Sequence, residues 1–442
     1  MSAAQPERHF AGRAVNIVDG LRTPFLRMRG PRGPFSASDL ALACGRALLA
    51  RQPFSPEALD EVVLGCVGPG PDEANIARIV GLRLGAGHRV PAWTVQRNCA
   101  SGMQALDSAA LDIANGRSDL VLAGGTEAMS HAAVLLAPPL VDWLAGWRGA
   151  RDWRARMRHL GRLRPAHLRP VVGLERALRD PVVGLSMGQT AEIIAARFGI
   201  TRADADAYAA DSHTRVLAAR EAGHLDEIEP LVGPDGRLHA LDDGVREDST
   251  PERLARLRPV FDPPTGRVTA GNSSQITDGA ACLILASDAA VAEHGLPVLA
   301  RIVDSQWAAL DPAQMGLGPV HAMTPLLQRR GLGIDDIDYW EINEAFAAQV
   351  LACQAAWQDD VYCREALGLD GAFGRLPDDR LNVDGGAVSV GHPVGASGAR
   401  IVLHLARVLE RTGARRGVAS ICIGGGQGGA MLIERPATGD AA

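Results

Sequence analysis

Two hydrophobic patterns alternate along the chain. Short apolar runs rich in β-branched residues, such as residues 14–19 (AVNIVD) and 120–125 (LVLAGG), are typical of strands buried in a sheet. In other stretches apolar residues recur every three or four positions, as in residues 187–224, and this spacing predicts helices. Thr201, followed three residues later by Asp204, is expected to cap a helix in that stretch. The alternation indicates an α/β protein with helices on the faces of a sheet.

Four of these patterns occur twice, in the same order. Roughly 280 to 300 residues separate the two members of each pair, which are 14–19 with 299–304, 59–65 with 337–343, 95–106 with 381–401, and 120–125 with 418–425. Chance similarity would not preserve both the order and the spacing. We therefore predict two homologous α/β halves, each a sheet with helices on its faces.

The first half is predicted to carry an insertion. In the second half, a glycine-rich turn at 424–428 leads directly into a last strand. In the first half the matching turn, 124–129, is far from the matching strand, 278–286. Insertions are tolerated best at loop tips, so the inserted chain should leave and re-enter between neighbouring strands. The predicted division is residues 1–130 with 259–292 as the first half, 131–258 as the inserted domain and 293–442 as the second half.

The repeated turns carry the most reactive residues. Cys99-Ala-Ser-Gly in the first copy aligns with Gly395-Ala-Ser-Gly in the second, where His392 precedes the turn. The free N–H groups and the dipole of a helix start favour a thiolate, and a histidine can take the proton of a thiol. If the copies face each other, Cys99 and His392 form a nucleophile and its base. Taken locally, the alternatives are a buried structural thiol and a histidine without a chemical role.

Two further stretches contain residues suited to chemistry. Asn343 and Glu344 follow a predicted strand, a position from which side chains point into a crevice, although a loop cap is the alternative. Cys422 precedes a run of glycines at 424–426, where closely spaced backbone N–H groups can form an oxyanion hole. The seven cysteines are odd in number and include no CxxC pair, so neither a disulfide framework nor a structural zinc site is expected.

Composition narrows the class of protein. The net charge of −6 and the 47% of hydrophobic residues are ordinary for a globular protein, and we expect no nucleic-acid partner. No apolar run is long enough to span a membrane, and residues 1–13 lack the apolar core of a secretion signal, so a cytoplasmic protein is expected. All 45 basic residues are arginine, which excludes a lysine Schiff base.

Residues 140–170 combine an apolar stripe with a basic run. The stripe falls at helical spacing and consists of Leu140, Trp143, Leu144 and Trp147, and eight arginines follow it. Such a segment suits an anionic membrane surface or a partner subunit. It also suits a solvated face whose tryptophans pack on the main body while some arginines bind a phosphorylated ligand. All three interpretations stay open on the sequence alone.

Several ordered motifs together resemble the thiolase family. They are NCASG at 98–102, AGGTEAMS at 123–130, TAGNSSQITDGA at 269–280, MGLGP at 315–319, NEAF at 343–346, GHPVGASG at 391–398 and CIGGG at 422–426. The resemblance extends over residues 14–433, and the long insertion is most similar to the β-subunits of fatty-acid-oxidation complexes and their bacterial relatives. It implies a thiolase fold of two duplicated α/β halves in five layers (αβαβα), with an inserted loop domain that covers coenzyme A.

The same resemblance implies an activity and a set of site residues. The family cleaves a 3-ketoacyl-CoA with CoA into acetyl-CoA and a shortened acyl-CoA, or runs the reverse condensation. By motif, Cys99 holds the acyl group as a thioester, His392 accepts its proton and Cys422 exchanges the proton on the acetyl carbon. The resemblance also implies two oxyanion sites. A water on Asn343 forms one of them together with His392, and the N–H groups of Cys99 and Gly424 form the other. Ser274 is expected to contact the pantetheine arm of CoA, and Met315 and Phe346 are expected to line the acyl end. CoA and acyl-CoA are substrates in this scheme, and no metal or bound cofactor is implied.

Departures from the family bear on the choice among related functions. Many short-chain biosynthetic members have a histidine where this chain has Ser186, which favours the degradative class of β-oxidation over a dedicated acetoacetyl-CoA acetyltransferase. A ketoacyl synthase, which shares the duplicated fold, would need a second catalytic histidine at the position of Asn343, so this chain does not fit that enzyme class. A non-catalytic scaffold or membrane adaptor would not need Cys99, His392 and Cys422 together, so the presence of all three argues against that function. From the family we expect a homodimer or homotetramer. The basic segment itself leads us to expect that residues 140–170 contact a hydratase–dehydrogenase subunit or a membrane surface.

Overall fold

A computed structural model describes residues 12–436 of the chain. The prediction that the N-terminus carries no secretion signal concerns residues 1–13, and residues 1–11 lie outside the described residues. Before the insertion the chain forms β1 (Asn16–Arg22), β2 (Leu26–Arg27), α1 (Ala37–Ala50), β3 (Glu61–Gly65), α2 (Ile76–Leu84), β4 (Ala92–Val95), α3 (Ser101–Ala114) and β5 (Leu120–Ala128). Within the described range no helix has both the length and the apolar character needed to span a membrane.

The remaining elements follow in two groups. The inserted segment contains β6 (Val134–Leu135), α4 (Pro138–Gly149), α5 (Trp153–Leu160), β7 (Val171–Val172), α6 (Gly173–Ala177), α7 (Met187–Arg197), α8 (Arg202–Glu221), β8 (Leu231–Val232), β9 (Leu238–His239) and α9 (Pro251–Leu254). After it come β10 (Thr277–Ala286), α10 (Asp288–His294), β11 (Ala300–Ala309), α11 (Gly318–Arg330), β12 (Tyr339–Ile342), α12 (Ala347–Gln358), α13 (Asp360–Leu367), α14 (Ala387–Val390), α15 (Val394–Thr412), β13 (Arg416–Ile423) and β14 (Gln427–Glu434). Short 3₁₀ turns connect some of them, at Pro56–Ala58, Met129–His131, Pro165–Leu168, Pro312–Leu317 and Ile334–Asp336.

The main sheet shows the predicted duplication. Its strand order is β12-β13-β14-β11-β1-β10-β5-β3-β4, with β2 beside β10. The first-half series β3-β5-β10-β1 matches the second-half series β12-β13-β14-β11, and in both the first pair is parallel and the others are antiparallel. Even the bulges match, because register shifts occur between Ile17 and Asp19 in β1 and between Ile302 and Asp304 in β11. One detail differs from the prediction, since a short pairing of β1 with β11 joins the two sheets into one.

Alternation of side chains along the strands produces the layers. Val121 of β5 and Met431 of β14 both belong to a central apolar cluster with α3 and α15. The next residue on each strand faces the other way, so that Leu122 packs with α1 and α2 and Leu432 packs with α11 and α12. The helices α3 and α15 pack on each other, and α15 contacts strands of both halves. The predicted five layers are therefore confirmed, with α3 and α15 as the middle one.

The insertion leaves and re-enters the sheet between neighbouring strands, as predicted. The chain departs after β5 and returns in β10, and these two strands are antiparallel partners over their whole length. Inside the insertion the Thr201 side chain accepts the N–H of Asp204, whose carboxylate bonds back to the cap, so the predicted helix start is confirmed. The domain boundaries at residues 130, 258 and 292 stay a prediction.

Residues 138–169, called the arginine hairpin from here on, contain α4 and α5. The pairing of β6 with β7 closes its base. The Trp143 ring stacks on Trp147 and on His159 of α5, with centroids 5.5 and 5.4 Å apart. The Trp143 indole N–H also donates to the His159 carbonyl at 3.0 Å. These ring contacts join the two helices to each other, which corrects the interpretation that the tryptophans pack on the main body.

Candidate active site

Cys99 lies on a tight turn between β4 and α3. Asn98 has φ of 44°, a left-handed conformation that asparagine tolerates better than most residues. The Ser101 hydroxyl donates to the Asn98 carbonyl at 2.7 Å and accepts the Arg97 N–H at 2.9 Å. These bonds hold Cys99 just ahead of the first turn of α3, where unpaired backbone N–H groups gather.

His392 occupies the equivalent turn before α15. Ser397 matches Ser101 in the repeat, and its hydroxyl donates to the Pro393 carbonyl at 3.1 Å and lies 2.7 Å from His392 Nδ1. Because the single hydroxyl proton is used on the carbonyl, the serine oxygen accepts the proton of Nδ1. This tautomer leaves Nε2 free to accept a proton, and Nε2 is buried without a partner among the described residues. A general base needs this arrangement.

Glycines allow the two helix starts to approach each other. A Cβ on Gly102 would lie 2.9 Å from the backbone nitrogen of Ala399. A Cβ on Gly398 would lie 2.6 Å from the backbone nitrogen of Met103. Any larger residue would therefore push α3 away from α15, and with it the cysteine turn away from the histidine turn.

One cavity of about 750 Å³ contains the three reactive residues Cys99, His392 and Cys422 on its wall. Asn98 Nδ2 donates to the Gly424 carbonyl at 2.8 Å, which ties the cysteine turn to the glycine turn after Cys422. The two copies of the repeat thus face each other, and the site combines a thiol and a histidine from different halves with a second thiol.

The protonation states follow from burial. Loss of water raises the pKa of the Cys99 thiol, although the N–H groups of Gly424 and of Cys99 itself favour the thiolate. The N–H groups at the helix start favour the thiolate as expected, but desolvation outweighs them and sets the direction of the shift. Burial also raises the pKa of Cys422 well above its usual range. The pKa of His392 falls to about 4, through burial first and the Arg400 guanidinium second, so a neutral imidazole faces two neutral thiols at pH 7.

Family models match almost the whole chain. Residues 15–289 match the model of the thiolase N-terminal domain, and residues 296–435 match that of the thiolase C-terminal domain. The chain belongs to the thiolase family. The thiolase is therefore an acyltransferase, and its two duplicated halves with the inserted segment form the thiolase fold.

Relatives of this thiolase are named for several substrates. The β-ketoadipyl-CoA thiolase of Pseudomonas aeruginosa is 40% identical over 438 residues, covering 96% of this chain and 99% of the relative. The mitochondrial 3-ketoacyl-CoA thiolase of Rattus norvegicus is 38% identical over 430 residues, with the same coverage. Human mitochondrial 3-ketoacyl-CoA thiolase in complex with CoA superimposes with a TM-score of 0.82 at 35% identity, covering 98% of this chain and 100% of that structure. The acetyl-CoA acetyltransferase of Bacillus anthracis gives a TM-score of 0.83 at 36% identity, covering 96% and 100%.

Asn343 and Glu344 have different surroundings in this thiolase. Both polar side-chain atoms of Asn343 are buried without a partner among the described residues. A buried amide normally bonds to protein groups or to an ordered water, and that Asn343 holds a water stays a prediction. The Glu344 carboxylate instead accepts four hydrogen bonds, from Tyr208, Ser212, Asn382 and the Val388 N–H. The prediction that this carboxylate points into a crevice is wrong, because it anchors α8 of the insertion to the second half.

The other predicted residues line the cavity that contains Cys99. Its wall includes Ser274, Met315, Phe346 and Gly424, whereas Asn343 does not reach it. Phe261 is also on the wall and meets Phe346 edge-on, with centroids 6.2 Å apart. No pattern in the sequence identifies Phe261 as a site residue. It reaches the cavity wall only because the chain passes the cavity on its way back from the insertion to β10. Ser397 was likewise not predicted, although its match with Ser101 in the repeat is a signal that identifies it.

A second cavity of about 650 Å³ meets the first at Cys99. Both walls include Cys99, Met187 and Gly424. The second wall is largely apolar and is lined by Val67, Pro69, Ala128, Met129, Ala132, Leu174, Leu178 and Val394, among others. These residues come from separate segments of both the main body and the insertion, so no single motif predicts this cavity.

Glu127 is a buried carboxylate on the wall of the second cavity. It accepts the N–H groups of Val67 and Gly68, both at 2.9 Å, and that of Gly395 at 3.1 Å. Burial raises the pKa of Glu127 to about 7, although these N–H groups act against the shift. The carboxylate thereby joins the loop after β3 to the first turn of α15, directly beyond His392. It is not among the site residues that the sequence predicts, although it belongs to the AGGTEAMS motif.

Replacing Glu127 with glutamine is expected to lower both stability and activity. An amide has one acceptor oxygen where the carboxylate has two, so at least one buried backbone N–H loses its acceptor. That loss costs about 1–3 kcal/mol in the free energy of unfolding. A weaker bond to Gly395 also loosens the turn that positions His392, so kcat/KM should fall by about tenfold to a hundredfold. Urea unfolding and steady-state kinetics measure the two effects.

Glu73→Gln is the matched control for this variant. Glu73 also accepts two backbone N–H groups, from Ser38 and Gly70, but it lines neither of the two cavities at Cys99. The control should lose stability and keep the kcat/KM of the wild type. An E127Q enzyme with full activity would show that Glu127 does not position the turn that carries His392.

Proposed function

We propose that this thiolase cleaves 3-ketoacyl-CoA with CoA, giving acetyl-CoA and a shortened acyl-CoA, as a step of fatty acid β-oxidation. The observation that carries the proposal is the position of Cys99 where two cavities meet. An acyl group on Cys99 needs room for the CoA arm on one side and for the acyl chain on the other. Cavities of about 300–1,000 Å³ enclose ligands of drug size, so a cavity of about 650 Å³ has room for far more than an acetyl group.

In the first half-reaction the Cys99 sulfur attacks the 3-keto carbon while its proton passes to His392 Nε2. The bond between C2 and C3 then breaks, its electron pair goes to C2, and the Cys422 thiol protonates that carbon. Acetyl-CoA leaves and the acyl group stays on Cys99 as a thioester. Burial keeps Cys422 protonated, which suits a group that donates a proton to carbon.

In the second half-reaction the thiol of a new CoA returns a proton to Cys422 and attacks the thioester carbon. Cys99 leaves as a thiolate and recovers its proton from His392, so every group returns to its starting state. Both additions create an oxyanion on the carbon that bonds to Cys99, and cleavage of the C2–C3 bond places negative charge on the thioester oxygen of the leaving acetyl group. The N–H groups of Cys99 and Gly424 stabilise one of these two charges, and a water on Asn343 stabilises the other together with His392. The covalent intermediate predicts ping-pong kinetics.

Two other substrate classes have specific support. The Bacillus relative is named an acetyl-CoA acetyltransferase, which supports acetyl transfer to and from acetoacetyl-CoA as one alternative. Acyl groups that end in a carboxylate are favoured by Arg176 and Arg179, which line the second cavity, and the Pseudomonas relative is named for such a substrate. Both classes therefore belong in the same substrate series as the unbranched acyl chains.

The test is CoA-dependent cleavage across 3-ketoacyl-CoA substrates from acetoacetyl-CoA to long acyl chains, with 3-ketoadipyl-CoA included. We expect kcat/KM to be higher for medium and long chains than for acetoacetyl-CoA. Ala132→Trp places an indole in the second cavity, so it should lower the long-chain kcat/KM by about tenfold or more and change the acetoacetyl-CoA value little. The ratio of the two values measures the occupancy of the cavity by the acyl chain.

Ala366→Trp is the control, because Ala366 is exposed on α13 and lines neither cavity. It should leave the whole substrate series unchanged. Activity confined to acetoacetyl-CoA would assign the enzyme to short-chain acetyl transfer instead. That result would also show that the inference from Ser186 is wrong.

A further inference from the structure

We propose that the arginine hairpin is a peripheral docking surface for membranes that contain anionic phospholipids. Eight arginines and only two aspartates lie in this segment, in a protein with a net charge of −6. Within residues 12–436 none of these eight arginines forms an ion pair with a carboxylate, because the basic partner in every ion pair lies outside the hairpin. The hairpin therefore presents a dense positive charge that the described carboxylates do not neutralise.

The helix α5 turns its apolar residues away from the rest of the hairpin. His159 faces α4, where it stacks on Trp143 and bonds to its carbonyl at 2.7 Å. At about 100° per residue, Trp153, Met157 and Leu160 form a stripe on the opposite side of α5. Their exposed fractions are 69%, 56% and 42%. In a globular protein the apolar face of a helix packs inward, so this orientation marks a contact surface.

Arginines flank the exposed stripe on both sides. By the same helical geometry Arg154 falls on one side of it and Arg156 on the other. The Arg154 guanidinium lies over the Trp153 ring, 5.5 Å from its centroid. An interfacial helix has this arrangement: aromatic and aliphatic side chains enter the boundary between headgroups and acyl chains, and long basic side chains extend to the phosphates.

Charge complementarity and shape together favour a lipid surface over a protein partner. A protein interface has a buried apolar core with matched shape. Here the apolar stripe is narrow and convex, since it lies on the outer side of a single two-turn helix. A fluid leaflet adapts to such a stripe, and anionic headgroups attract each nearby arginine. The hairpin contains none of the residues placed in the active site, so docking is independent of the proposed reaction.

Vesicle sedimentation with the full-length protein tests the proposal. One set of vesicles contains phosphatidylcholine alone, and the other also contains phosphatidylglycerol. We expect binding to the anionic vesicles to be about tenfold stronger or more, and to weaken at high salt because the charges are screened. The W153S/M157S/L160S variant keeps the charge and removes the stripe, whereas R154Q/R156Q/R158Q does the reverse. Each should reduce the vesicle affinity by about tenfold or more while kcat/KM stays that of the wild type.

Matched controls replace exposed residues elsewhere on the described surface. V232S/L238S/V361S removes apolar side chains and R46Q/R89Q/R117Q removes charges, and both should bind vesicles like the wild type. Circular dichroism verifies that every variant is folded. Equal binding to both kinds of vesicle, no binding to either, or unchanged binding by the two hairpin variants would overturn the proposal. So would a change of oligomeric state in the stripe variant without a loss of vesicle binding, since the stripe would then be a contact between copies of the chain.

Discussion

Replacing Cys99 with serine is expected to lower kcat/KM by about 10⁴-fold or more, the scale on which enzymes respond to the loss of a nucleophile. The hydroxyl has nearly the shape of the thiol but is a much weaker nucleophile and holds its proton more tightly. His392 then removes that proton less readily as the new bond forms. Among the residues on the cavity wall only Cys99 lies at the meeting point of both cavities and has a nucleophilic sulfur.

Mass spectrometry of the intact protein shows whether the acyl group is carried by Cys99. After incubation with an acyl-CoA the wild type should gain the mass of one acyl group, and the C99S enzyme should gain none. Cys363→Ser is the control, because Cys363 is a buried thiol that bonds to the backbone carbonyls of Ala356 and Trp357 and lines neither cavity at Cys99. The control should acylate and turn over normally. Wild-type turnover by a folded C99S enzyme would rule out the thioester mechanism.

Replacing His392 with glutamine is expected to lower kcat/KM by about 10²- to 10⁴-fold, the usual contribution of a general base. Glutamine can retain a bond to Ser397 but offers no nitrogen that accepts a proton. His321→Gln is the matched control, since burial also lowers the pKa of His321 and its Nε2 bonds to the Tyr362 hydroxyl at 2.7 Å outside both cavities. The control should keep the activity of the wild type. Equal losses in the two variants would point to a general structural effect.

The pH profile of the wild type provides a second readout for the same residue. Burial and Arg400 lower the pKa of His392 to about 4, so the imidazole becomes protonated, and unable to act as a base, only as the pH falls through about 4. On this basis kcat/KM should show no acid limb near 6.5, the usual pKa of histidine. Because Glu127 has a pKa of about 7, the E127Q enzyme is measured as well. A fall in kcat/KM centred near 6.5 in both enzymes would contradict the assignment of His392 as a buried neutral base.

Much of the architecture could be predicted from the sequence because it depends on local and repeated patterns. The period of apolar residues identifies strands and helices, and two copies of four such patterns in order determine the duplicated strand series. The cap at Thr201 is also local, since it involves residues three positions apart. The repeat further predicts that Cys99 and His392 face each other, because equivalent turns of two homologous halves are related by the same packing.

Other properties of the site depend on contacts that no local pattern contains. The Glu344 carboxylate turns towards α8 because Tyr208 and Ser212 donate to it there. The pKa of Cys99 is raised because residues distant in the chain surround the thiol and shield it in part from water. The orientation of Glu344 and the pKa of Cys99 each depend on all the groups that surround the side chain in space. A local sequence pattern contains only the residues that are close along the chain.

The family resemblance, the two halves with an insertion between adjacent strands, and the set of reactive residues can therefore be predicted from the order of residues in the chain. The protonation of those residues, the bonds by which Glu127 joins the loop after β3 to the first turn of α15, and the second cavity at Cys99 follow only from the packing of the folded chain. That packing also decides which way the stripe of α5 faces. Periodicity and capping depend on residues a few positions apart, and a sequence contains that information directly. Cavities, desolvation and exposed faces arise from the packing of segments that are far apart in the chain.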